Sequence, residues 1–183
     1  MKIRLMVVMG MVVAAAFSRV VPHPPNVTPI AAMALFGGAY AGNRKLAYLL
    51  PLAAMLLSDG VLGYTVYGAT LLTSQPVVYG CLLATAGMGT LIRDRRSPLQ
   101  IGAVTLASSI MFYLVTNFAV WAAGTLYPLT WSGLTACYVA AIPFFRNSLL
   151  GDLGFAAVLF GGFHLLETSY PALQEQQVSF VAR

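Results

Sequence analysis

Charge is what this chain has least of. Only 8% of its 183 residues are charged, five acidic and ten basic, where soluble domains carry about 25%. A water-facing surface cannot be built from that inventory, so a soluble globular fold is excluded. Cysteine is nearly absent too. Cys81 and Cys137 make neither a disulfide framework nor a zinc spacing. The chain has no glycine-rich phosphate loop, no His-Glu-x-x-His pattern and no Ser–His–Asp arrangement, so nothing marks nucleotide hydrolysis or a familiar hydrolase. Internal repeats and low-complexity segments are missing, and the two halves do not mirror each other. Inverted-repeat transporter folds therefore find no support.

What fills the chain instead is apolar: 59% hydrophobic residues and a mean hydropathy of +0.81. A helix needs about 20 apolar residues to cross a bilayer, so one domain over residues 1–183 has room for six or seven short-looped spans. Apolar runs fall at Ile3–Phe17, Thr28–Ala41, Leu46–Tyr64, Pro76–Ile92, Ile101–Ala123 and Ser148–Leu166. Some are short for a bilayer, which predicts tilt or re-entrant geometry. A further stretch, Trp131–Phe145, is interrupted by Pro143 and reads either as a seventh span or as a short helix in the last outer loop. The expected fold is all-α, a six-transmembrane-helix bundle with that short helix.

Basic residues choose between six spans and seven. With a cytoplasmic N-terminus, one side collects Lys2, Arg4, Arg44, Lys45, Arg93, Arg95 and Arg96, and the other has Arg19 and Arg146. That asymmetry follows the positive-inside rule, and six spans return the C-terminus to the same side. In this setting the net charge of +5 marks topology rather than nucleic-acid binding. Met1–Arg4 followed by an apolar run and Ala14-Ala15-Ala16 is similar to a signal peptide. Its removal would put every basic loop on the wrong side, so it is expected to stay as the first span.

The outer loops then carry the unusual chemistry. The first holds Arg19 and Pro22-His23-Pro24-Pro25-Asn26, where the prolines forbid helix and stiffen the backbone. The second has no charge and includes Tyr67, and the third carries Tyr127, Trp131, Tyr138 and Arg146. Within the spans, Asp59, Asn117, Cys81 and Asp152 are all expected at the outer third of the membrane. Intramembrane ionisable residues point to function by default, yet Asp59 and Asp152 could equally cap helix ends or pair with Arg146. Tyr64, Tyr67, Tyr127 and Trp131 suit an interfacial aromatic belt, and His164 and Glu167 suit the inner interface. Gly37-Gly38, Gly87, Gly89 and Gly161-Gly162 suit close helix packing. A buried thiol is usually a small hydrophobe, the reading given to Cys137, whereas at a pocket mouth a thiolate such as Cys81, after Tyr79-Gly80, is a soft-metal ligand.

The stretch Pro22-His23-Pro24-Pro25-Asn26-Val27-Thr28-Pro29-Ile30-Ala31-Ala32, running into Ala34-Leu35-Phe36-Gly37-Gly38, resembles a family of small bacterial membrane transporters. So do Thr116-Asn117-Phe118, Tyr127-Pro128, Cys137-Tyr138, Ala141-Ile142-Pro143-Phe144-Phe145-Arg146-Asn147 and Leu149-Leu150-Gly151-Asp152. The resemblance covers nearly the whole chain. It is to the substrate-binding (S) subunits of energy-coupling-factor vitamin transporters, and among them to the BtuM-like vitamin B12 transporters. It implies cobalamin as transported ligand, a bacterial inner-membrane location and Cys81 as ligand of the cobalt, with Cys137 as the alternative. Sulfur on cobalt would displace the lower axial base and labilise an upper cyanide, which gives Cys81 a catalytic role as well. The substrate-binding set implied is His23, Asn26, Asp59, Tyr67, Tyr79, Asn117, Tyr127, Tyr138, Arg146 and Asp152. The alanine-rich docking signature of module-dependent relatives is not clear in the first helix, so an energy-coupling ATPase partner and solitary operation both stay open. Other readings are an S-subunit-like carrier of another vitamin or small solute, and a membrane enzyme using Cys81.

Overall fold

The computed structural model describes residues 2–64 and 76–174. Helices α1 (Lys2–Ser18), α2 (Ile30–Tyr40), α3 (Arg44–Leu62), α4 (Pro76–Leu91), α5 (Pro98–Ala122) and α6 (Trp131–Ala156) follow one another. A π-helical turn (Ala157–Gly161) then leads directly into α7 (Gly162–Ser169). Among the described residues there is no strand. Local chemistry sets the helix starts. Asn43 accepts from Leu46 N at 2.8 Å, Ser97 caps α5 ahead of Pro98, and the Thr130 side chain accepts from Gly133 N at 3.1 Å. All three are side-chain N-caps that satisfy orphan amides of the first turn.

Contacts at one end fix the directions of the helices. Arg4 at the start of α1 bonds Glu167 in α7 at 2.9 Å. Arg96, just before α5, lies 4.4 Å from the centroid of the Tyr40 ring at the end of α2. Arg93, after α4, reaches the carbonyls of Gly38 and Gly42. Successive helices therefore alternate in direction, with the starts of α1, α3 and α5 gathered at this basic end. Cations there also complement the C-terminal carbonyls of α2.

Helix α2 is the centre. Every residue from Ala31 to Tyr40 is buried, as expected of a helix that is apolar on all sides. Its packing on α4 is backbone against backbone. A Cβ on Gly38 would run into the Ala86 carbonyl, and one on Gly89 into the Leu35 carbonyl. At its lower end Phe36 and Tyr40 stack with Phe160 and Phe163, with centroids 4.6–5.7 Å apart. An eleven-residue helix rises only about 16 Å, roughly half of a bilayer's apolar core, so α2 fills one half of the bundle's length.

Among the described residues, three helical stretches are long and apolar enough to cross a membrane: Arg44–Leu62, Pro98–Ala122 and Trp131–Ser169. Helix α5 is inverted relative to a soluble helix. The residues it buries are Thr105, Ser108 and Ser109, while Leu106, Ile110, Leu114 and Phe118 are exposed. Lipid explains that pattern, because in hydrocarbon it is the polar groups that need protein partners.

The segment from Trp131 differs from expectation. It is not a separate short helix in the last loop, nor a seventh span, but the first part of the helix that continues to Ser169. Pro143 sits inside it. Proline there removes the hydrogen bond to the Val139 carbonyl and crowds that carbonyl with its ring, yet the helix continues through it. Helix α2 also begins two residues later than its apolar run, because Pro29 holds the N-cap.

Candidate functional site

The Pro-rich loop builds one wall of a site at the end opposite the basic one. Val27 N donates to Pro24 O at 3.1 Å, with Pro25 and Asn26 between them and Asn26 at φ 63°. This is the pattern of a type II turn, with proline at its second position and a residue tolerant of the left-handed region at its third. Asn147 Nδ2 donates to Pro25 O at 3.1 Å and ties the turn to α6. Below it, Val27 and Thr28 lie against Gly151, where a Cβ would stand 3.1 Å from the Val27 Cα.

A cavity of about 220 Å³ lies between this turn, the second half of α5 and the stretch of α6 from Ala141 to Asp152. Three of the residues named from sequence meet there: Asn26, Asn117 and Asp152. Ser109, Tyr113 and Thr116 join them. Asp152 is 6% exposed and accepts from Ser109 Oγ at 2.7 Å. Among the described residues no cation accompanies it. The hydroxyl of Thr116 and the amide of Asn117 donate back to their own helix, to Phe112 O and Tyr113 O. Tyr138 closes the same helix pair, donating to Leu114 O at 2.7 Å while its own carbonyl receives Tyr113 at 2.7 Å.

Asp59 belongs elsewhere. Its Oδ1 receives Arg19 at 2.7 Å and its Oδ2 receives the Tyr79 hydroxyl at 2.6 Å. Arg19 also bonds Ser58 and contacts the Met55 sulfur. The Arg19 and Asp59 side chains are 8% and 0% exposed. The carboxylate is thus satisfied on both oxygens by groups from two other segments, the chain after α1 and α4, which fits a structural tie and corrects the expectation of a cap or of pairing with Arg146.

The other predicted residues scatter. Cys81 is buried in α4 at 3% exposure and lines neither this cavity nor the two at the basic end. Cys137 is buried in the α5–α6 contact with its thiol 3.4 Å from Asn117 O. Both are free thiols. His23 is exposed in the loop, with Nδ1 3.1 Å from Pro24 O, Tyr127 is half-buried between α5 and α6, and Arg146 is exposed. Tyr67 lies outside the described residues. Among the described residues no group of three or more His, Cys, Asp or Glu could hold a metal ion.

Arg19 and Ser109 were not foreseen as site or network residues. The sequence reading places Arg19 among the topology charges and in the first outer loop but gives it no partner, although a lone basic residue near a carboxylate in a neighbouring span is a pairing signal. Ser109 had a signal as well: Thr105, Ser109 and Thr116 recur at helical spacing in an otherwise apolar span.

The chain matches the model of DUF6580, a family of unknown function, over residues 1–173, and it belongs to that family. No curated protein and no solved structure matches it.

Proposed function

We propose that this protein is a multi-pass carrier of the bacterial inner membrane that takes up an organic solute rich in hydrogen-bond donors. The fold would be a six-span bundle of the S-subunit type, with both termini on the basic, cytoplasmic side and the solute entering from the opposite end. The observation that carries this reading is Asp152. A buried intramembrane carboxylate without a cationic partner is costly, and this one faces a cavity that opens beside Asn26 and Asn117. A ligand that donates hydrogen bonds would supply the missing partner. The three shorter helices enter the bundle by tilting or by packing inside it, as α2 does.

Cobalamin is the solute supported by the motif resemblance, and its many amides are donors of the required kind. Cys81 is the residue proposed to ligate cobalt and, through the sulfur, to labilise an upper cyanide. Its depth means that α4 has to part from its neighbours for that bond to form. The second reading, a smaller solute in the same cavity, is favoured by volume. About 220 Å³ lies below the roughly 300–1,000 Å³ usual for drug-sized ligands. With no phosphate-binding loop in the chain, energy comes either from a separate ATPase module or from trapping of the solute inside.

An absorption spectrum distinguishes the two. Detergent-purified protein is incubated with cyanocobalamin, freed of excess ligand, and compared with Cys81→Ala and Cys137→Ala. Retained corrin whose band shift reverts only in Cys81→Ala supports cobalamin uptake with cobalt–thiolate ligation. No retained corrin in any of the three removes cobalamin and leaves the small-solute carrier. Catalytic release of a modified product in excess of protein would instead favour an enzyme.

A further inference from the structure

A second cavity, about 590 Å³, opens at the basic end and runs inward as far as Thr105 and Leu153, next to Asp152 in the chain. Its walls are α5 on one side and α6, the π-helical turn and α7 on the other. On α5 the lining positions Ile101, Gly102 and Thr105 share one helical face. On the opposite wall the lining runs from Leu153 through Gly161 to His164 and Glu167. That stretch rises about 21 Å at roughly 1.5 Å per residue. Half of a bilayer's apolar core is about 15 Å deep, so the groove has the reach of one leaflet. Its emptiness is geometric: no heavy atom stands within 4 Å of where a Cβ would sit on Gly102 or Gly161.

The groove is also graded in polarity. Apolar residues line its depth, and Arg96, His164 and Glu167 stand at its mouth. Glu167 is already paired with Arg4, and Arg96 is oriented by the Tyr40 ring and the Ala39 carbonyl. Arg96 lines the mouth while Arg4 offsets the charge of Glu167, which leaves a positive rim over a mostly apolar slot. Pockets of this build between membrane helices suit anionic lipid headgroups. A π-turn in the wall is a further mark of a functional site.

We propose that this groove binds one anionic phospholipid, with an acyl chain between α5 and α6–α7 and its phosphate at Arg96 and His164. The proposal rests on the reading of the chain as a membrane protein and not on which solute it carries.

Native mass spectrometry tests it. The full chain is exchanged into detergent with equal phosphatidylglycerol and phosphatidylcholine of the same chain length. The expected result is one retained phosphatidylglycerol per chain, in preference to phosphatidylcholine. Gly102→Leu starts from a Cβ position with no atom within 4 Å, projects into the groove and should abolish retention while helical content and Tm hold. Gly161→Leu should do the same from the other wall. Arg96→Gln should cut the preference for phosphatidylglycerol about tenfold while a lipid is still retained. Equal retention of the two lipids by the wild type, or unchanged retention in both glycine variants, would overturn the proposal. So would a stoichiometric co-purified polypeptide that dissociates in Gly102→Leu.

Discussion

The Tyr79 hydroxyl stands 2.6 Å from Asp59 Oδ2, on a carboxylate whose other oxygen is held by Arg19 at 2.7 Å. The pair joins α4 to α3, and Arg19 brings in the chain leaving α1. Removing one partner of a buried ion pair strands the other, at a cost of about 3–5 kcal/mol. Asp59→Ala should therefore lower the Tm in detergent sharply. Tyr79→Phe should cost about 1 kcal/mol, the net value of a hydrogen bond. An Asp59→Ala protein of wild-type stability would show that the tie does not form.

Asp152 should behave in the opposite way. Its carboxylate has Ser109 but no cation among the described residues, so Asp152→Asn relieves a buried charge. Stability should hold or rise, and solute binding at the Asp152 cavity should fall by at least tenfold, worth about 1.4 kcal/mol. Parallel thermal unfolding and binding titrations separate the effects. Loss of stability with intact binding would return Asp152 to a structural role.

Glycine substitutions should divide by position. Gly38→Ala and Gly89→Ala each press a methyl into a backbone carbonyl of the facing helix, where nothing flexible can give, and overpacking of that kind costs about 1–3 kcal/mol. Gly102→Ala points into open space and should be neutral or stabilising by roughly 0.5–1 kcal/mol through helix propensity. Equal losses at all three sites would contradict the α2–α4 crossing.

Thiol labelling checks both burial and orientation. Cys81 and Cys137 are 3% and 2% exposed, so neither should react with a bulky membrane-impermeant maleimide before unfolding. The unreactive background lets single new cysteines report topology. His23→Cys in intact cells should label from outside, and Arg44→Cys only after permeabilisation. The reverse pattern would invert the proposed orientation.

Much of this protein could be read before any coordinates. The scarcity of charge and the spacing of the apolar runs marked where the helices lie, because backbone groups that lack water must bond within their own segment. The loop chemistry was legible for the same local reason. Pro22, Pro24 and Pro25 were expected to forbid helix, and the loop is non-helical; its turn at Pro25-Asn26 is what the structure adds. Asn26, Asn117 and Asp152 were named together and did converge, whereas Cys81, His23 and Arg146 were named with them and did not.

Helix period and residue type thus determined the all-α chain and the basic end. Which polar groups meet was decided by tertiary packing alone. Asp59 and Asp152 look alike in sequence, each a lone carboxylate in an apolar helix. One is satisfied by Arg19 and Tyr79 and the other is left facing a cavity, and the difference lies in how the helices are rotated against each other. The burial of half-length α2, and the backbone crossing of Gly38 on Gly89 that permits it, are likewise three-dimensional facts. Close approach of two helices depends on the shape of both faces at once, and a single sequence presents each face without its partner.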